Sequence, residues 1–240
     1  MYVQKRGRFV TYSRNIFTDC VVATGNVVLG MKKEQIYTFF ERLSEVEQSP
    51  ETELQFTNPF TLTVAVVLSA QATDKGVNRA TAELFRLADT PEKMIALGED
   101  RIRDLVKTIG LFRTKAKNVY LLSVKLRDEF ESTVPRERDQ LMSLPGVGRK
   151  TANVVMNVAF GEPTFAVDTH VYRLSNRTGL APGKTVMDVE KKLEKRVPDP
   201  FRVHAHHWLI LHGRYICVAR KPKCGQCVVS DICKFKDKAG

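Results

Sequence analysis

Four cysteines crowd one end of this 240-residue chain: Cys217, Cys224, Cys227 and Cys233 form a C-x6-C-x2-C-x5-C array within 17 residues. So many soft ligands in so short a segment constrain the fold more than any other feature, because the backbone must curl around one centre. Thiolates select zinc, Cu(I) or iron–sulfur clusters, and four of them complete either a tetrahedral zinc site or the corners of a 4Fe–4S cube. Structural zinc usually draws its sulfurs from two close C-x2-C pairs separated by a longer loop. Here one tight pair, Cys224 and Cys227, is flanked by lone cysteines, a spacing that favours the cubane and leaves zinc as the alternative. Disulfides come last, since a single further cysteine, Cys20, is left over and no secretory context is evident.

Residues 1–30 carry Lys5, Arg6, Arg8 and Arg14, then an apolar stretch interrupted by Asp19, Thr24 and Asn26. A secretory signal needs an uninterrupted apolar run, and no Arg-bearing face supports an organelle presequence. The expectation is a disordered extension or a start codon set too far upstream, with Met31-Lys32-Lys33 opening the first helix. The longest uncharged run, Phe56 to Thr73, contains Asn58, Pro59, Gln71 and four threonines, so it reads as a buried core helix and not a membrane span. Net charge is +11, and +8 without the first 30 residues. That excess points to a polyanionic partner, a class shared by ribosomal, membrane-surface and nucleic-acid-binding proteins.

Helix start signals recur along the chain and strand signals do not. Asn58-Pro59, Thr90-Pro91 and Val134-Pro135 put proline where a first turn tolerates it, and Thr185 with Asp188 has capping-box spacing. Apolar residues repeat at three and four in Ile102, Leu105, Val106 and Ile109, in Leu121, Leu122, Leu126 and Phe130, and in Val186, Val189, Leu193 and Val197. An all-α protein with short connections follows.

The second chemical signal is Leu144-Pro145-Gly146-Val147-Gly148-Arg149-Lys150-Thr151-Ala152, between a helix ending near Ser143 and one running to about Phe160. Two glycines two residues apart allow a tight turn with positive φ, and the N–H groups of the turn and the next helix can converge on an anion such as a DNA phosphate. A P-loop is excluded, because the G-x-x-x-x-G-K-[ST] spacing and a preceding strand are missing. A plain joint between helices remains the alternative on the tripeptide alone.

That segment, together with Ala166-Val167-Asp168-Thr169-His170 and the four cysteines, resembles the endonuclease III family. The likeness runs from about Met31 to about Phe235 and includes Leu68 to Asp74, Thr108 to Leu111 and His206 to Gly213. It implies an all-α, two-lobed helix-hairpin-helix DNA glycosylase with a 4Fe–4S cluster. A helical barrel is expected over 52–165, with the hairpin at about 137–160, and a cluster domain over 31–51 with 166–240. The implied activity is excision of oxidised pyrimidines and then cleavage 3′ of the abasic site by β-elimination. The expected partner is double-stranded DNA bearing damaged pyrimidines or abasic sites, met by a monomer in the cytoplasm at the nucleoid.

By the family pattern Lys150 is the nucleophile at C1′ and Asp168 the catalytic carboxylate. A lysine attacks only as the neutral amine, so its reference pKa of ~10.4 must fall by about 3 units. A helix N-terminus and a desolvated pocket both push that way. A carboxylate pushes the other way, so Asp168 is better read as stabilising the charged sugar, orienting the nucleophile or relaying a proton, and it also reads as an N-cap. Gln71 and Leu111 match the positions that fill the vacated base stack, and Gly146, Gly148 and Arg149 those that hold phosphate. Arg220, Lys221 and Lys223 lie between cluster cysteines, which would hold three cations ready for phosphates. His204, His206, His207 and His212 are read as structural, on a helix packed through Trp208, Leu209 and Leu211. Two other readings compete. An adenine-mismatch glycosylase resembles an enzyme with a carboxylate just before the Gln71 region and a further C-terminal domain; here no Asp or Glu lies between Phe60 and Gln71, and the chain runs seven residues past Cys233. A non-catalytic, zinc-stabilised DNA-binding module is the other.

Overall fold

The computed structural model describes residues 30–238, and the expectation for residues 1–30 lies outside them but for Gly30. Among the described residues every regular element is helical. Seven helices build a first core: α2 (Pro59–Ser69), α3 (Asp74–Leu87), α4 (Pro91–Leu97), α5 (Glu99–Val106), α6 (Phe112–Phe130), α7 (Arg138–Met142) and α8 (Arg149–Phe160). At its centre α2 is buried from Phe60 to Leu68. Its threonines do not oppose burial, because they bond backward along their own helix, Thr63 donating to the Pro59 carbonyl at 2.8 Å. Asn58 starts it by accepting from the Thr61 N–H at 2.8 Å, and the Thr61 hydroxyl accepts from the Asn58 N–H at 3.0 Å, a reciprocal cap that Pro59 extends with a preset φ.

The second core draws α1 (Lys33–Val46) from the start of the chain onto α9 (Thr169–Thr178), α10 (Val186–Arg196) and α11 (Arg202–Tyr215). Phe39, Phe40, Phe165, Leu174 and Leu209 are fully buried in it. The Trp208 indole donates to the Glu47 carbonyl at 2.7 Å, closing the end of α1. Backbone and side chain both tie α1 down: Met31 N–H donates to Gly179 O at 2.8 Å, and Arg42 reaches Val228 O at 3.0 Å.

Three sequence expectations need correction. Pro135 opens no helix; it lies in the irregular approach to α7, which starts at Arg138. Leu121 and Val186, although on apolar periods, are 38% and 44% exposed, since each sits at the edge of its helix's buried stripe. Leu211 turns away from the core to line a cleft, leaving Trp208 and Leu209 to pack the helix.

Candidate functional site

Between the two cores lies an open cleft lined by polar and apolar side chains alike. Lys150 and Asp168 both line it, with Asp74, Glu51, Glu53, His206, His207 and Arg214 supplying its other charged and titratable groups. Local structure fixes the first two. Lys150 is the second residue of α8, exposed to the cleft beside the positive end of that helix. Asp168 is the N-cap of α9, its Oδ1 accepting from the His170 and Val171 N–H groups at 2.8 Å each. The cap uses one oxygen and leaves Oδ2 for the cleft.

Asp74, Arg214 and Glu53 carry no assignment from the sequence. Arg214 Nη1 donates to Asp74 Oδ2 at 2.7 Å and to Glu53, which also accepts from the Tyr215 hydroxyl. Burial pushes the Asp74 carboxyl up from its ordinary value; Lys150 pulls it down and Asp168 pushes it up again, which puts the three groups in one electrostatic neighbourhood. His206 is 1% exposed, and its imidazole is pushed down to about 3 by burial and then by His207 and Lys150. Burial, with His204 beside it, takes His207 down to about 4, so both rings are neutral near pH 7. The one signal for Asp74 was its place in the Leu68 to Asp74 segment, and no spacing rule pairs it with an arginine 140 residues away.

The turn between α7 and α8 uses its glycines unequally. Gly146 has φ +82°, and a Cβ there would meet Asn118 Nδ2 at 2.9 Å and Val67 Cγ1 at 3.1 Å. Gly148 corrects the expectation of two positive-φ glycines: its φ is −92°, and a Cβ would meet nothing within 4 Å. It is the N-cap of α8 and supplies no side-chain acceptor, so the first-turn N–H groups face open space. Arg149 departs from the free cation expected of it, because its Nε and Nη2 both donate to Glu190 Oε1, at 2.9 and 2.7 Å. Glu190 is 5% exposed and Arg149 half-buried, so the pair is a part-buried tie between α8 and α10.

Gln71 and Leu111 sit on neighbouring loops with left-handed backbone, φ 54° and 58°, and Leu111 is 60% exposed. Such conformations are costly away from glycine and collect at functional loops. A Cβ on Gly110 would lie 3.8 Å from the Gln71 carbonyl oxygen, so the two loops touch. Arg220, Lys221 and Lys223 are all exposed, and Lys221 also has positive φ. Their loop is held by Arg177, which donates to Val218 O and Ala219 O at 2.7 Å each.

A second cavity brings Cys217, Cys224, Cys227 and Cys233 together with Leu174, Ile216 and Phe235. All four cysteines are free. Burial pushes the Cys227 and Cys233 thiols up, and the neighbouring sulfurs push them further, so four thiolates share this space only around positive charge. Among the described residues no three His, Cys, Asp or Glu side chains gather as ligands of a single ion. All four sulfurs line the one cavity, a set of soft thiolate donors that fits a cluster bound at four corners. Donors stand ready for them: His212 Nε2 lies 3.4 Å from Cys227 Sγ, and Phe235 N–H 3.5 Å from Cys233 Sγ.

Comparisons with known proteins agree with this geometry. Residues 64–199 match the model of the HhH-GPD superfamily of base excision DNA repair proteins, and residues 217–233 that of the iron-sulfur binding domain of endonuclease III. Endonuclease III of Haemophilus influenzae and that of Escherichia coli K12 are each 53% identical over 208 residues, covering 87% of this chain and 99% of theirs. A trapped endonuclease III–DNA covalent intermediate superposes with a TM-score of 0.78 at 44% identity, over 85% of this chain and 96% of that one. A thermostable thymine-DNA glycosylase at 24% identity shares the fold, with a TM-score of 0.75 over 83% of this chain and 95% of its own.

Proposed function

The chain belongs to the endonuclease III family, and from that premise we propose how its cleft works on DNA. As a member it is a DNA glycosylase and AP lyase of base excision repair and carries a 4Fe–4S cluster. Its substrates are oxidised pyrimidines and abasic sites in double-stranded DNA. The neutral Lys150 amine attacks C1′ of an extruded nucleotide, the N-glycosidic bond breaks, and the base leaves with its electron pair and takes up a proton. The nitrogen then gives up a proton and the C1′–O4′ bond breaks, O4′ taking up a proton, which opens the sugar to a Schiff base; this acidifies the C2′ proton, and its removal expels the 3′ phosphate. The observation that carries this reading is the meeting of Lys150 and Asp168 in one cleft, each at a helix N-terminus.

Asp168 stabilises positive charge on the sugar as the base departs, with its capped Oδ1 fixing the carboxylate's orientation. The uncapped first turn of α8 accepts a phosphate oxygen, and the open space over Gly148 lets the strand come close. Arg149 contributes its backbone there, since its side chain is bound to Glu190. Gln71 and Leu111 enter the stack that the extruded base leaves. Cys217, Cys224, Cys227 and Cys233 hold the cluster, which cross-links the loop bearing Arg220, Lys221 and Lys223 so that it meets the backbone preformed. We divide the work between a barrel over 52–165, with the hairpin, and a cluster domain over 31–51 with 166–240. We place its action, as a monomer, in the cytoplasm at the nucleoid, where a net charge of +11 suits a polyanionic partner.

Borohydride trapping on a duplex with one oxidised thymine tests the reading. Wild type gives a covalent adduct; Lys150→Gln gives none, while its DNA affinity stays within about 1 kcal/mol. An adduct that survives in the variant removes Lys150 as nucleophile.

A further inference from the structure

Besides Lys150 and Asp168, the cleft holds an ion triad that the reaction as described leaves unused. Arg214, near the end of α11, donates to Asp74 at the start of α3 and to Glu53 in the segment before α2. The two partners in the 2.7 Å pair have side chains only 30% and 21% exposed, so solvent screens them weakly.

We infer that Arg214 is a positioning residue for the reaction: it holds the Asp74 and Glu53 carboxylates to itself and so keeps their charge from Lys150, which shares the cleft with them. The charges facing the cleft make the case. Carboxylates enter from the segment before α2 (Glu51 and Glu53), from α3 (Asp74) and from the cap of α9 (Asp168). Among the described residues cations enter only from α8 (Lys150) and α11 (Arg214), since His206 and His207 are neutral. Without Arg214, an ammonium at Lys150 would be the one cation among four carboxylates and would keep its proton to higher pH. Asp74 is the critical partner, because Lys150 already acts on it. An arginine suits the task, since it stays charged over the whole working pH range.

The inference rests on the Schiff-base reading of Lys150, and one experiment separates the two. Single-turnover borohydride trapping on an abasic-site duplex is followed as a function of pH for wild type, Arg214→Gln, Arg214→Lys, Asp74→Asn and the Arg214→Gln/Asp74→Asn double variant. In Arg214→Gln the acid limb of the trapping rate moves up by about one pH unit, roughly tenfold slower on that limb. The double variant brings it back, and Arg214→Lys stays near wild type. A rate that falls equally at every pH, with the limb unmoved, overturns the inference and makes the triad a structural tie. A limb that the double variant fails to restore overturns it as well. Should Arg214→Gln not fold, Asp74→Asn decides: its limb lies below wild type's if the inference holds and is unmoved if it fails. No adduct from wild type at any pH overturns the Schiff-base reading, and this inference with it.

Discussion

The first core closes by apolar helix faces meeting one another, with Leu62, Leu84, Met94, Ile102 and Leu122 excluded from solvent. The second also buries aromatic side chains, but its edges are closed by arginines that cross the chain to bare carbonyls. Arg173 reaches Gly213 O and Cys217 O, Arg177 reaches Val218 O and Ala219 O, and Arg42 reaches Val228 O. Every one of those acceptors lies in or beside the cysteine segment. The cysteine segment has Val229 as its one fully buried side chain, too little apolar burial to choose a shape, so the second region needs the thiolate-bound centre in a way the first does not.

The sharpest way to break that contrast is Cys224→Ser. It should lose iron and visible absorbance, and limited proteolysis should cut within residues 217–233 while α2 to α8 stay protected; structural metal centres in small domains are worth on the order of 10 kcal/mol. Retention of full iron content would undo the contrast. Acid is the next probe. His206 is neutral in the folded protein, at about 3, and near 6.5 when unfolded, so the unfolded state binds more protons between those values. Its contribution is complete above pH ~6.5 and lost as pH falls toward ~3, roughly 5 kcal/mol in all. Urea midpoints measured against pH should therefore fall less steeply in His206→Leu.

Smaller effects separate the two glycines of the hairpin. Gly146→Ala should cost about 1–3 kcal/mol of stability through its positive φ and the contact with Asn118. Gly148→Ala, with free space and an ordinary φ, should cost under about 1 kcal/mol, yet weaken DNA binding measured by anisotropy as much as Gly146→Ala does. The gentlest test is Lys221→Ala, which should weaken binding to every duplex alike and lower the slope of log K against log salt by about 0.9.

Much of this was legible before the structure. The helical class could be read from apolar periods and from caps at Asn58, Thr90 and Thr185, because these are local signals with local causes. Pro135 shows their limit: proline marks a permitted start and cannot make one. Lys150, Asp168 and the cysteines stand in continuous segments, so a pattern can single them out, and the structure brings the first two to one cleft and the cysteines to one cavity. The Arg214–Asp74–Glu53 triad joins three segments that meet only after both cores form, and no local pattern carries that information. Nor could sequence reveal that Arg149 would turn to Glu190, which depends on where α10 comes to rest.

Gln71 and Leu111 hold their left-handed backbone in the protein by itself, with the Gln71 carbonyl against Gly110. The search for a projecting side chain is thus completed once per molecule, during folding, and not once per encounter. On the proposed entry of these two residues into the base stack, this bears on time: each stop along a long polymer would need only the touch of a finished tooth, and the dwell at an intact position would shrink accordingly.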